Sequence, residues 1–213
     1  PLNIKLTKQD TGTGAVVENS FSAFTNAGFS GLFVWQTFGL KPAKSEITLE
    51  FFNSNSNEPM YLTDFAMSAF DIDTGSFDDY LAFRGFSKDN NSLPPTNRTS
   101  NSQINEITTA PTTGIIFPGY NTKSGGTNCA EKSFDGNCQA SISFPKPVKS
   151  VTITYTNGDR IANNASSGRQ GVELKVDNYC YEPPINLSGS VFNDNGGINA
   201  QQANRLNADI TSA

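Results

Sequence analysis

Asp71-Ile72-Asp73-Thr74-Gly75-Ser76-Phe77-Asp78-Asp79 gathers four carboxylates into nine residues. In an extended backbone an Asp-x-Asp step points both carboxylates to one side. Calcium takes about six to eight oxygen ligands, so Asp71, Asp73, Asp78 and Asp79, completed by turn carbonyls, make a candidate Ca²⁺ site. The spacing is not that of an EF-hand loop, which needs a Gly at its sixth and a Glu at its twelfth position. The competing reading is a solvated acidic turn. Asn193-Asp194-Asn195-Gly196-Gly197 is also rich in oxygen donors, but Asn, Asp and Gly favour tight turns on their own account. Tyr80 and Phe83 follow the acidic segment and Tyr120 stands in a later loop, so these three are the candidate ligand contacts. Two opposed acids could hydrolyse a polysaccharide, and Glu50 with Asp64 is one such pair, although the sequence offers no separation between them.

Other chemistry is excluded by what is missing. The chain has no histidine, which removes Ser-His-Asp and Cys-His nucleophiles, imidazole-ligated metals and any imidazole acting near neutral pH. Fifteen Lys and Arg stand against 20 Asp and Glu, for a net charge of −5. Without a basic cluster, a nucleic-acid partner is not expected. No apolar run of about 18 residues would span a membrane as a helix. Pro1 opens no recognisable signal peptide, so a mature or excised end is expected there.

Cys129 and Cys138 enclose a Gly-containing loop that a disulfide can bridge, which suits an oxidising compartment. Cys180 is left over and reads as a small buried hydrophobe, or as a partner of one of the other two. Trp35, the single tryptophan, reads as a core-facing aromatic more readily than as a platform for a sugar ring. Asn-x-Ser/Thr occurs at Asn90, Asn97, Asn164 and Asn186, as often as an Asn-, Ser- and Thr-rich composition produces by chance.

Those residues must be carried by strands. Sixteen Phe, two Met and many β-branched residues favour β structure. Apolar residues alternate over Leu32–Phe38, Glu46–Phe52, Tyr61–Ile72, Tyr80–Phe83, Ala140–Phe144, Val148–Tyr155 and Gly171–Val176. In the last of these Val172, Leu174 and Val176 share one face while Glu173 and Lys175 take the wet one. Polar segments lie between, at 53–59, 88–103, 118–137 and 157–170, and the stretch 88–113 is unusually long for a loop. Short half-buried strands with no amphipathic helix predict an all-β fold, an antiparallel two-sheet sandwich of the jelly-roll kind. Glu182-Pro183-Pro184 marks a boundary. Residues 1–182 are the expected sandwich, and 183–213 a linker, a donor strand or the start of a next module.

Ala140-Ser141-Ile142-Ser143-Phe144-Pro145-Lys146-Pro147-Val148-Lys149-Ser150-Val151-Thr152-Ile153-Thr154-Tyr155, with Leu62–Phe65, Phe70–Asp73 and Val172–Val176, resembles the β-sandwich modules of large secreted bacterial surface proteins and adhesins. Leu187–Asp194 is similar to the opening of the repeat modules that follow such domains, though it stops before their expected acidic residues. The resemblance implies extracellular placement, calcium-supported folding and a multi-domain context. The function expected is a non-catalytic adhesive or structural module at the bacterial cell surface, binding a glycan or protein ligand. The alternatives are a subunit of a surface filament assembled by strand donation through residues 185–213, and a polysaccharide-acting enzyme.

Overall fold

The computed structural model describes residues 2–12, 16–38, 43–75, 79–101, 103–107, 119–122, 128–156 and 168–181. The chain divides into two units, Pro1–Glu182 and Pro183–Ala213. The fold is that of the first unit; the expected Asn193–Gly197 turn and the donor strand lie outside the described residues.

The strands are β1 (Leu2–Gly12), β2 (Val16–Asn26), β3 (Phe29–Phe38), β4 (Ala43–Asn53), β5 (Leu62–Phe70), β6 (Tyr80–Phe86), β7 (Ser92–Leu93), β8 (Asn97–Ser100), β9 (Ile104–Ile107), β10 (Gly119–Thr122), β11 (Ala140–Phe144), β12 (Ser150–Thr156) and β13 (Gly168–Tyr181). They form two antiparallel sheets. The first runs β1-β4-β12-β6-β10-β9 with β7 also on β6, and the second runs β2-β3-β13-β5-β11-β8. From β3 to β6 and again from β10 to β13, successive strands cross from one sheet to the other. This is the expected two-sheet sandwich.

Alternation explains the core. Ile47, Leu49 and Phe51 of β4, Val151, Ile153 and Tyr155 of β12, and Leu81 and Phe83 of β6 face Val34 and Phe38 of β3, Phe65 and Met67 of β5, and Val172 and Leu174 of β13. Each side chain of that size contributes about 1.5–3 kcal/mol by leaving water. Phe65 bridges the layers, its ring centroid 5.2 Å from Phe51 and 6.4 Å from Phe144.

All seven expected windows are strands, but four details differ. First, β1 and β2 were not visible in the pattern. After Leu6, β1 places Lys8 opposite Ile47 and Asp10 opposite Ser45, polar residues on the line of the inner face at a sheet edge. Second, the supposed long loop 88–113 contains β7, β8 and β9, whose short polar strands pair at sheet margins. Third, Trp35 does not face the core. Val34, Gln36 and Phe38 point inward, which turns Phe33 and Trp35 to the outer face, ring centroids 5.2 Å apart. Gly171 sits beneath them, where a Cβ would lie 2.4 Å from the Phe33 ring, so the absence of a side chain lets that ring lie flat on the sheet. Fourth, Cys180 is exposed and free, because the irregular end of β13, with register shifts between Val176 and Cys180, leaves the sandwich interior.

Candidate functional site

Asp71 and Asp73 lie just beyond the end of β5, with Ile72 between them pointing into the core. Far from forming a solvated turn, Asp71 and Asp73 are each only 4% exposed and Asp79 is 0% exposed. Asp78 lies outside the described residues. The turn is closed at both ends: the Asp79 amide donates to the Asp73 carbonyl (3.1 Å), and the Asp73 amide donates to Asp79 Oδ2 (3.2 Å). Buried carboxylates need donors, and these come from distant strands. Tyr155 on β12 donates its hydroxyl to Asp79 Oδ1 at 2.6 Å. Gln170 on β13 donates from Nε2 to Asp79 Oδ2 (2.9 Å) and to Asp73 Oδ1 (3.2 Å). The Cys129 amide donates to Asp73 Oδ2 at 2.7 Å.

Asp71 is served differently. Its Oδ1 is enclosed and has no hydrogen-bond partner, and its backbone is left-handed, φ 60°, a conformation uncommon outside Gly, Asn and Asp. Burial, followed by the neighbouring charges of Asp73 and Glu173, pushes its carboxyl up to about 8. Asp73 is pushed up to about 6, again chiefly by burial and against the lowering effect of the Cys129 amide. Asp79 is raised well above the ordinary carboxylate range by complete burial and by Asp73. No Lys or Arg among the described residues is ion-paired to any of the three.

The disulfide loop is the lid of this region. Cys129 and Cys138 are joined, with Cα atoms 6.4 Å apart, and the intervening residues fold over the outer face of the second sheet. Phe134 stacks on Phe24 at 4.7 Å and meets Phe70 edge-on at 5.2 Å. Lys132 and Phe134 are both left-handed, φ 55° and 52°, which helps turn successive amides toward one point. There Glu173 is held: Ser133 N and Phe134 N each donate to its carboxylate at 2.9 Å. Such a nest of amides is an anion site, here filled from within. Glu173, expected on a wet face, is therefore 0% exposed. Replacing both cysteines by alanine is expected to destabilise the fold by about 2–3 kcal/mol, the loop-closure value for a span of this size. Thermal melting with and without reductant checks it, and equal transitions would remove the loop from the stability of the site.

Of the candidate ligand contacts, Phe83 and Tyr120 are core residues, 1% and 0% exposed. Their rings meet edge-on at 6.0 Å, and burial withholds them from an external ligand. Tyr80 is half-buried on β6. Glu50 and Asp64 stand in different sheets, and Glu50 is ion-paired with Lys5 at 3.2 Å. Among the described residues no three acidic or cysteine side chains converge as metal ligands. The residues that sequence reading missed are Gln170, Tyr155 and Glu173: Tyr155 and Glu173 were ordinary members of alternating strands, and Gln170, expected at the end of the polar segment 157–170, lies within β13.

Fold and site together define a disulfide-pinned antiparallel sandwich with a buried acidic hub. No family model matches the chain, and no curated protein matches it. Among solved structures, the enzymatically active domain of tailspike protein 4 of bacteriophage CBA120 is similar over 84% of this chain and 19% of that one, at 13% identity and a TM-score of 0.35. A likeness that slight carries no argument about fold or function.

Proposed function

We propose that the protein is a non-catalytic extracellular module of a bacterial cell-surface protein that adheres to a glycan or protein ligand and is stabilised by Ca²⁺ at its acidic hub. The observation that carries the reading is that the most strongly perturbed carboxylates, Asp71, Asp73 and Asp79, are at most 4% exposed. Perturbed groups in an open cleft suggest catalysis, whereas enclosed ones tied to three strands and a disulfide loop organise a scaffold. A cation suits the hub because Asp71 Oδ1 has no donor and like charges surround it. Asp71 and Asp73 would supply carboxylate oxygens, and the ion would offset charge that burial otherwise disfavours. The disulfide supports an oxidising compartment.

The test is retention of the full chain, free and as a bead coating, on glycan arrays and on bacterial and host cell surfaces. Binding without release of shortened sugars is expected. Concentration-dependent assembly in size-exclusion chromatography with no surface binding would replace this reading by the filament one, and turnover of a polysaccharide would replace it by the enzyme.

A further inference from the structure

The first sheet has an outer face as well as an inner one, and strand register orders it into rows. Thr7, Thr48, Thr152 and Arg84 are consecutive partners across β1, β4, β12 and β6, and Gln9, Glu46, Thr154 and Ala82 form the next row. Together with Phe86 they line a groove of about 320 Å³, within the range of small-ligand sites. The threonines keep its floor low and hydroxylated; Thr48 Oγ1 and Thr152 Oγ1 are 2.9 Å apart and share one hydrogen bond.

The charges of this face are almost all matched. Lys5 pairs with Glu50 at 3.2 Å and Lys44 with Glu46 at 3.3 Å, while Lys8, which borders the groove from the inner-face line, is held by Asp10 at 2.5 Å. Arg84 is the exception. It is half-buried against the floor and has no ion pair or side-chain hydrogen bond among the described residues. A guanidinium cannot shed its charge, and its fork of donors matches a carboxylate. Among the described residues the pairing leaves one uncompensated positive charge in the groove, which a monoanion neutralises, while Glu46 in the adjoining row opposes a dianion such as a phosphate.

We propose that this groove binds an acidic polysaccharide strand of uronic-acid type, with a sugar carboxylate on Arg84, ring hydroxyls on Thr48, Thr152 and Thr154, and an apolar sugar face against Phe86. The inference rests on the adhesive reading and names its ligand class and its site. It moves recognition from the expected Phe83 to the opposite side of the same strand, and away from Tyr120 of β10, because alternation along β6 sends Ala82, Arg84 and Phe86 outward where Leu81 and Phe83 go inward.

Calorimetric titration of the full chain with oligogalacturonate, and with a neutral cello-oligosaccharide of equal length, tests it. Oligogalacturonate is expected to bind, more weakly as salt rises, and the neutral sugar not to bind. Arg84→Gln should weaken binding by about tenfold or more, the scale of a lost charge-assisted fork, and Arg84→Lys by less. Thr154→Val, a milder change of the same wall, should weaken it without removing the charge. No binding of oligogalacturonate, equal binding by Arg84→Gln, or equal affinity for the neutral sugar would each overturn the groove. Surface retention that survives in Arg84→Gln would leave the adhesive reading standing while the groove fails; loss of all retention in the unmodified chain would end both.

Discussion

Gln170→Leu is expected to lower the melting temperature by about 6–12 °C at neutral pH, from a loss of about 3 kcal/mol in a domain of this size. The leucine fills similar space but removes the amide that donates to both Asp73 Oδ1 and Asp79 Oδ2. Two enclosed carboxylates then lose a donor that water cannot replace. Gln170→Glu separates the donor from the shape. A carboxyl there donates only when protonated, so this variant should be strongly destabilised at pH 8 and approach the parent near pH 4. Differential scanning calorimetry of the three proteins at both pH values reads the effect. If Gln170→Leu melts with the parent at neutral pH, the hub is not what joins β13 to the acidic turn.

Stability of the metal-free protein is expected to fall as pH rises from about 4 to about 8, opposite to the usual behaviour of carboxylates held in ion pairs. The sign follows from the raised carboxyls: about 8 for Asp71 and about 6 for Asp73, against an ordinary value of 3.8. Below about pH 4 both groups are protonated folded or unfolded, and their contribution is fully present. Above it the unfolded chain releases protons that the folded hub keeps, so folding takes up protons and loses free energy with each unit. The loss continues until Asp73 and then Asp71 ionise in place, and a decline in melting temperature of about 5 °C or more is expected across that window. Asp71→Asn should flatten much of it. Calcium at the proposed site would bind the ionised form, so millimolar CaCl₂ should raise the transition at pH 8 and leave it unchanged at pH 4, since a ligand of the native state stabilises by mass action. A transition at pH 8 indifferent to CaCl₂ and EGTA would discard calcium. One that rises steadily with pH would discard the buried-acid account itself.

The fold was largely legible because alternation is a local property. Val151, Ile153 and Tyr155 announce an inward face whatever lies opposite them, and all seven alternating windows became strands. The misreading at β3 has a plain cause. Parity along a strand says which residues go together, but not which set goes in. Phe33 and Trp35 outweigh Val34 and Gln36 in apolar area, yet Val34 and Phe38 take the core and carry Gln36 with them. Glu173 was misread for another reason: its parity was right, with Val172 and Leu174 inward, but the loop 129–138 covers the outer face on which it stands. The strands of the stretch 88–113 escaped because each is four residues or fewer at a sheet margin, too short to display a period.

The acidic segment could be picked out by its density of carboxylates, and the Cys129–Cys138 bridge by spacing and context. What could not be read was the company they keep. Asp79 meets Tyr155 across 76 positions and Gln170 across 91, and no window along the chain joins such residues.

From the order of its amino acids alone this protein had its seven clearly alternating strands, its small disulfide loop and its lack of imidazole chemistry, because each depends on neighbours a few bonds away. The pairing of β4 with β12 and of β13 with β3 and β5 decided the rest: that the aspartates would be enclosed and share donors, that Glu173 would fill a nest, and that Arg84 would stand beside a row of threonines with no ion pair among the described residues. Those outcomes are set by burial and by cross-strand register, which exist only once two sheets have closed on each other.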